Sequence, residues 1–249
     1  ITLRALEILK SVDAIYCEDT RVTMKLLGHF EITKPLHAYH QHSDDRVVNQ
    51  IVEALQAGQT LALVSDAGTP GINDPGGRLV QQILAHIPDA HIVPIPGANA
   101  ATVALSASGF PADRYQYWGF VPHKKGRQTF FADLAKEEDT VVFYESKHRM
   151  SKAIQQLQEA LEKAETPERP VLIARELTKK FEQVIRCTLE EAIAIYTNES
   201  PRGEFVLVLQ GAEPDDVKGG KGVREFDEAA IHDETGMDII QCYNEYLNQ

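Results

Sequence analysis

The 249-residue sequence predicts an α/β protein with a mainly parallel N-terminal sheet, helices on both its faces, and a mixed α+β unit after it. Three observations predict this. Short apolar runs at Ala14–Cys17, Leu61–Val64 and His91–Pro94 alternate with segments of helical periodicity, as strands of a parallel sheet and their crossover helices do. The first two runs break directly into polar or Gly/Pro-rich sequence, the position where open α/β sheets hold ligands. In the last hundred residues before position 212 apolar runs follow one another more closely, which suits mixed pairing.

Each element has a local reason. The chain opens with Leu3, Leu6 and Leu9 on one helical stripe beside Ala5, Ile8 and Val12. Ala14–Cys17 is then short and apolar enough for a buried strand, and Thr20 is placed to cap a helix carrying Met24, Leu26, Leu27 and Phe30. Ser43 is placed to cap a helix bearing Val47, Val48, Ile51, Val52 and Leu55, which Gly58 closes. The strand Leu61–Val64, a loop, a helix near 78–87 and the strand His91–Pro94 follow. Pro96–Asn99 leads into Ala100–Ser108, whose small residues allow a helix to lie close to a sheet. A boundary near Gly109–Tyr115 divides the chain into domains 1–112 and 113–212. Strands in the second are expected at Tyr117–Phe120, Thr140–Tyr144, Val171–Ala174, Phe181–Cys187 and Phe205–Leu209, with helices near 148–163 and at Leu189–Tyr196. Residues 213–249 read as a Gly-rich linker and an acidic tail, with Ile239, Ile240, Tyr243, Tyr246 and Leu247 on one helical stripe.

Composition bounds the function. Hydrophobic content of 43% and charged content of 25% are those of a globular protein, and no apolar run reaches membrane-spanning length. Three scattered cysteines exclude a disulfide framework or a cysteine zinc cluster and fit a reducing cytoplasm. The formal charge of −12 is uneven: residues 1–123 contribute −4, residues 124–202 are balanced, and residues 203–249 contribute −8. That balance does not itself point to nucleic acid.

The densest chemistry lies in Ser65–Gly77. Gly68, Gly71, Gly76 and Gly77 let the backbone turn sharply or approach a ligand, while Ser65, Asp66, Thr69, Asn73 and Asp74 supply polar groups. Pro96-Gly-Ala-Asn-Ala100 is a second strand-to-helix turn. Neither has the Gly-Lys-Ser/Thr of a phosphate loop or the Gly-x-Gly-x-x-Gly of a dinucleotide site, so a nucleoside triphosphate or NAD is not indicated. Glu18-Asp-Thr-Arg21 suits either helix capping or a place at the same sheet edge. His123–Arg127, Glu145–Arg149 and Arg175–Lys180 are either solvated strand ends or a cationic rim for phosphate. His37, His40 and His42 lack a completing carboxylate or cysteine, so no metal is expected.

Several stretches, in this order, resemble the bacterial small-subunit ribosomal RNA (cytidine-2′-O)-methyltransferases of the tetrapyrrole methylase superfamily. They are Glu18-Asp-Thr-Arg21, Ser65–Pro70 with Asn73–Gly76, Pro96-Gly97, Gly119-Phe-x-Pro122 with Lys125-Gly-Arg127, Phe143–Ser146 with His148-Arg149, Ala174–Lys179, and Gly203-Glu204. The similarity spans roughly residues 1–211.

The resemblance implies the two-domain tetrapyrrole-methylase-like fold, a homodimer with no membrane association, S-adenosylmethionine between the domains, and 16S ribosomal RNA in the small subunit as substrate. The implied reaction is 2′-O-methylation of a decoding-region cytidine. A tetrapyrrole C-methyltransferase and a non-catalytic ribosome-associated binder are the alternatives. It implies a further strand and Pro/Gly turn ahead of the first helix. It sets Ser65, Asp66, Ala67, Gly68, Thr69 and Pro70, with Pro96, Gly97, Ala98, Asn99 and Ala100, against the cofactor. Phe143, Tyr144, Glu145 and Leu177 are expected near its adenosine. A ribose hydroxyl is a poor nucleophile that benefits from a base, for which Glu18, Asp19 and Glu145 are candidates, with Arg21 orienting the hydroxyl or a phosphate. Lys124, Lys125, Arg127, Lys147, Arg149 and Lys179 are the expected RNA contacts.

Overall fold

Parallel pairing of three short strands organises the first part of the chain. The fold comes from a computed structural model and covers residues 1–40, 43–197 and 202–212; the expected tail helix lies outside these residues. Ala14–Cys17 (β1) lies between Leu36–Ala38 (β2) and Leu61–Val64 (β3), parallel to both. Side chains alternate across the strand, so β1 serves two cores. Ile15 packs with Leu9 of helix Leu3–Ser11 (α1) and Leu27 of helix Thr20–His29 (α2). Tyr16 faces the other way, onto Val48, Ile51 and Val52 of helix Asp45–Gln56 (α3) and Leu79 and Ile83 of helix Gly77–His86 (α4). The two caps fall one residue from their expected positions. Asp19 accepts from the Arg21 N–H at 2.8 Å, and Asp44 from the Val47 N–H at 3.3 Å. Ser43 instead accepts from the His40 N–H.

The expected strand at His91–Pro94 does not form. Ile92 and Val93 are exposed, and β3 is half-buried along its length while β1 is buried throughout. An apolar run becomes a strand only where a neighbour satisfies its backbone, and none of the described strands pairs with it. Sequence periodicity carries no information about that partner.

The second sheet has the order β4-β5-β8-β6-β7, formed by Tyr115–Phe120, Thr140–Ser146, Glu204–Leu209, Val171–Arg175 and Gln183–Cys187. Only β4 and β5 are parallel; the other pairs are antiparallel. Val141 and Phe143 of β5 face helices Arg127–Leu134 (α6), Met150–Lys163 (α7) and Leu189–Thr197 (α8). Val142 and Tyr144 face the opposite side, where helix Ala100–Ser106 (α5) lays Ala101, Ala104 and Leu105 on Leu172, Ala174, Val206 and Val208. α5 thus precedes the expected boundary yet packs on the second sheet. Arg186 of β7 donates to the Ala107 and Ser108 carbonyls and satisfies the end of that helix. Buried Arg169 plays a similar part at the far edge, donating to the Ala135, Glu137 and Gln210 carbonyls at 2.6–3.2 Å.

Ala104 has no exposed surface and faces the sheet. Ala104→Leu is therefore expected to destabilise the fold by about 1–3 kcal/mol through overpacking. Urea unfolding should show this, with Met24→Ala, an exposed site, near zero as the comparison.

Candidate active site at the strand ends

Register decides which loops meet. Cys17 stands opposite Val64 in a parallel pair, so Glu18 and Ser65 leave their strands at the same edge. The Asp19 N–H donates to Asp66 Oδ1 at 3.2 Å, tying the first turn to the second. Thr69 Oγ1 donates to the Ala98 carbonyl at 3.3 Å, which ties the second to the turn before α5. Asn99 accepts from the Ala101 and Thr102 N–H groups at 3.1 and 3.2 Å and so fixes the start of α5. Thr2 donates to the Pro96 carbonyl at 3.2 Å. Three turns separated in sequence form one hydrogen-bonded rim.

The loop after β3 also crosses to the second sheet. Asn73, itself at φ 59, donates from Nδ2 to the Tyr117 hydroxyl on β4. Its amide lies against Gly119, where φ is 65 and a Cβ would stand 3.0 Å from Asn73 Oδ1. A register shift between Tyr117 and Gly119 opens that space. The Tyr117 ring meets Tyr144 edge-on at 5.5 Å, and Phe120 meets Tyr144 at 5.2 Å. Leu177 and Ala100 pack against the same buried cluster as the two tyrosines. Gly97 faces open space, with no atom within 4 Å of where a Cβ would stand, and Ala67 and Gly68 in the neighbouring turn are exposed. An apolar aromatic wall, exposed loop backbone and the acids Glu18, Asp66 and Asp74 suit a cationic sulfonium carrying an adenosine.

The carboxylates here are not equivalent. Arg21 holds Asp19 with contacts of 2.6 and 3.0 Å and brings its pKa down to about 2. Burial pushes Asp74 above the ordinary 3.8, Ser65 partly offsets this, and Glu18 and Asp66 push it further. Burial also raises Tyr117 and Tyr144. Asn73, Asp74 and Tyr117 were not among the expected site residues. Asn73 and Asp74 carried a loop signal, but Tyr117 read only as a strand residue.

The remaining expected site residues divide by strand alternation. Tyr144 faces the rim, whereas Phe143 and Glu145 project to the other face of β5. Phe143 is packed against Phe130 at 5.8 Å. The Glu145 side chain is 0% exposed; Oε2 accepts from Arg127 at 2.8 Å, and Oε1 accepts from Arg149 at 2.8 Å and the Ser146 N–H at 2.6 Å. Both Glu145 oxygens are thus occupied, and the Arg127 and Arg149 guanidinium groups are directed to that carboxylate. Arg127 additionally donates to Gln156 at 2.7 Å and stacks over Phe131. Lys179 is engaged by Glu176 and Glu204 at 3.1 and 2.8 Å. Lys124, Lys125 and Lys147 are exposed. Among the described residues no cluster of metal-binding side chains occurs.

Comparison with known proteins completes the assignment. The profile of the family described as Tetrapyrrole (Corrin/Porphyrin) Methylases matches residues 1–193. The chain belongs to this family. Within the family it is 47% identical over 219 residues to the ribosomal RNA small subunit methyltransferase I of Synechocystis sp., covering 87% of this chain and 76% of that protein. Proteins of the same name from Bacillus subtilis and Escherichia coli O157:H7 are 41% and 43% identical, over 87% and 85% of this chain and 72% and 73% of theirs. Such identity places it in the ribosomal RNA small subunit methyltransferase I branch. The methyltransferase CobJ and a diphthine synthase share the fold, with TM-scores of 0.59 and 0.60 at 20% and 15% identity. They cover 85% and 84% of this chain, and the chain covers 88% and 84% of theirs. Among the described residues no helix of this methylase is long and apolar enough to cross a membrane.

Removing Glu145 leaves the buried Arg127 and the partly buried Arg149 guanidinium groups without their carboxylate. Glu145→Ala is expected to cost about 3–5 kcal/mol of stability in denaturant unfolding. A base would instead lose rate with stability intact.

Proposed function

We propose that this protein transfers a methyl group from S-adenosylmethionine to the ribose 2′-hydroxyl of a cytidine in 16S ribosomal RNA, within the decoding region of the small subunit. The observation that carries the reading is the junction of three tied turns with the Asn73–Tyr117–Tyr144 wall. The named relatives support it, since they match across most of both chains. The substrate side is supported by exposed Lys124, Lys125 and Lys147 beyond the rim. A cytoplasmic location and domains 1–112 and 113–212 belong to the same proposal. So does a homodimer, for which exposed Leu3, Met24 and Phe120 offer apolar surface.

The donor, when bound, supplies an electrophilic methyl group on a positively charged sulfur. This chain's residues have the remaining tasks. Backbone of Ala67, Gly68, Gly97 and Ala98 and the wall of Tyr117, Tyr144 and Leu177 hold and orient the donor. A new carbon–oxygen bond forms to the ribose oxygen as the carbon–sulfur bond breaks, and the hydroxyl proton must leave. Asp19 is a weak acceptor because Arg21 already stabilises its charge. Asp74 has the higher proton affinity, lies in the same loop as Asp66, and acts on both tyrosines through its charge. We therefore assign Asp74, with Glu18 as its neighbour, to accept that proton.

The general test is methylation of assembled small subunits with tritiated donor and mapping of the labelled nucleotide; label on uroporphyrinogen, and none on the subunit, would overturn the reading. The carboxylate must be ionised to act as the base, so kcat/KM should rise with pH through a value above 3.8. Asp74→Asn is expected to lower single-turnover methylation by about 10²–10⁴-fold and to remove that acid limb while calorimetry still shows donor binding. An unchanged rate would take Asp74 out of the mechanism.

A further inference from the structure

At the end of β6 a side chain takes over from the backbone ladder. Arg175 stands opposite Phe205 of β8, so Glu176 stands opposite Glu204 in the same register. A hydrogen-bonded antiparallel pair ordinarily exchanges both of its N–H groups for carbonyls. The Glu176 N–H does donate to the Glu204 carbonyl, at 3.0 Å. The return bond differs: the Glu204 N–H donates to Oε1 of the Glu176 side chain, at 2.9 Å. The Glu176 carbonyl is left for the Lys179 N–H, at 2.9 Å, which closes a turn over residues 176–179.

That turn reverses the direction of Leu177. Val171 and Ile173 face the core under α6, α7 and α8, whereas Leu172 and Ala174 face α5. By strand alternation an extended chain would carry Leu177 to the side of Ile173. Leu177 instead packs against the cluster on the other face, together with Tyr117 and Tyr144. The cause is a left-handed residue on each side of it, Glu176 at φ 50 and Thr178 at φ 65. Neither is a glycine, so this conformation persists only where the surroundings fix it. Both are fixed. The Thr178 N–H donates to the Glu182 carboxylate. Lys179 Nζ donates to Glu176 Oε1 at 3.1 Å and to Glu204 Oε2 at 2.8 Å. The Glu204 N–H, and then Lys179, hold the Glu176 carboxyl below its ordinary 4.5. Gly203 leaves room for that carboxylate, since a Cβ there would overlap Glu176 Cγ.

We infer that Glu176 is a positioning residue for donor binding, acting through Leu177, with Gly203, Glu204 and Lys179 as its supports. The inference rests on the proposed function, in which Leu177 belongs to the wall that holds the donor. Without the carboxylate the Glu204 N–H loses its acceptor, and the left-handed turn loses the bond that holds it. Leu177 then leaves the side of the tyrosines.

Titration calorimetry with S-adenosylmethionine and methylation of assembled small subunits test this on the full-length protein. Glu176→Ala is expected to raise donor Kd and KM about fivefold to thirtyfold, the scale of a lost leucine contact, with kcat retained at saturating donor. Glu176→Gln keeps an oxygen for the Glu204 N–H and should stay within about threefold of wild type. Leu177→Ala should weaken donor binding to a similar degree, and adding Glu176→Ala to it should cost no more than about a further twofold. Urea unfolding gives the folded fraction of each variant. A merely structural role would lower that fraction, or kcat, and leave donor Kd alone. Should Glu176→Ala not fold, Lys179→Met at a half-exposed side chain carries the test. A donor Kd raised about twofold to fivefold in that variant supports the inference, and an unchanged one overturns it. Unchanged donor affinity in Glu176→Ala, or losses that multiply in the double variant, would overturn it while the wild type still methylates. A wild type that binds no donor would instead overturn the enzymatic reading beneath it.

Discussion

The crossing of Asn73 from the first sheet to Tyr117 and Gly119 of the second is the constraint on which the cleft depends. The first sheet contributes polar turns with exposed residues, and the second contributes partly buried aromatic surface. Neither alone would hold a ligand that is cationic at one end and a flat ring at the other. Asn73 brings them together because Gly119 has no side chain and sits in the left-handed region, beside a slip in strand register. α5 supports the same junction from beneath. Its start is fixed by Asn99 at the rim, while its buried face is committed to the second sheet. A motion between the two sheets would have to strain both links.

Behind the aromatic wall, the buried cluster of Glu145, Arg127 and Arg149 is a different kind of structure. Burying three charges gains little net stability over an apolar core, so its consequence is better sought in geometry. The carboxylate accepts from two guanidinium groups and a backbone N–H, and Arg149 in turn reaches the Ser146 hydroxyl and the Val121 carbonyl. The end of β5 is thereby fixed against the segment after β4 and the start of α7. Tyr144 is the neighbouring residue on that strand and points the other way. The cluster thus fixes the strand that carries Tyr144 from the opposite face.

Much of this was readable from residues. Strand-like runs at 14–17 and 61–64 matched the strands: the first is central and buried on both faces, and the second is an edge strand that is half-buried yet apolar throughout. The turn sequences announced themselves through Gly and Pro, and parallel pairing then required them to share an edge. What was hidden depended on contacts distant in sequence. His91–Pro94 has the composition of a strand without a described partner, and Leu36–Ala38 pairs with β1 although only three residues long. Glu145 looked like a strand-end acid available for chemistry. Its true environment follows from one-residue alternation, which a run of Phe, Tyr and Glu does not reveal. Tyr117 gave no signal at all, since its importance is conferred by Asn73, 44 residues earlier.

Two aspartates in neighbouring turns show how environment assigns roles. Asp19 is stabilised as an anion by Arg21 and by the N-terminus of α2, which it caps. Its lowered pKa means a contribution to stability that is present above the ordinary 3.8 and is lost as pH falls through about 2. Asp74 lies in the opposite situation. Partial burial and the charges of Glu18 and Asp66 disfavour its anion, so the folded protein carries that ion at some cost whenever pH exceeds its raised pKa. A bound sulfonium cation would offset the cost, and a proton from a ribose hydroxyl would remove it. The same repulsion that makes the acidic rim unfavourable in the free protein therefore favours both the donor's charge and the proton's departure, and separated proton affinities of this kind mark which acid holds structure and which can act.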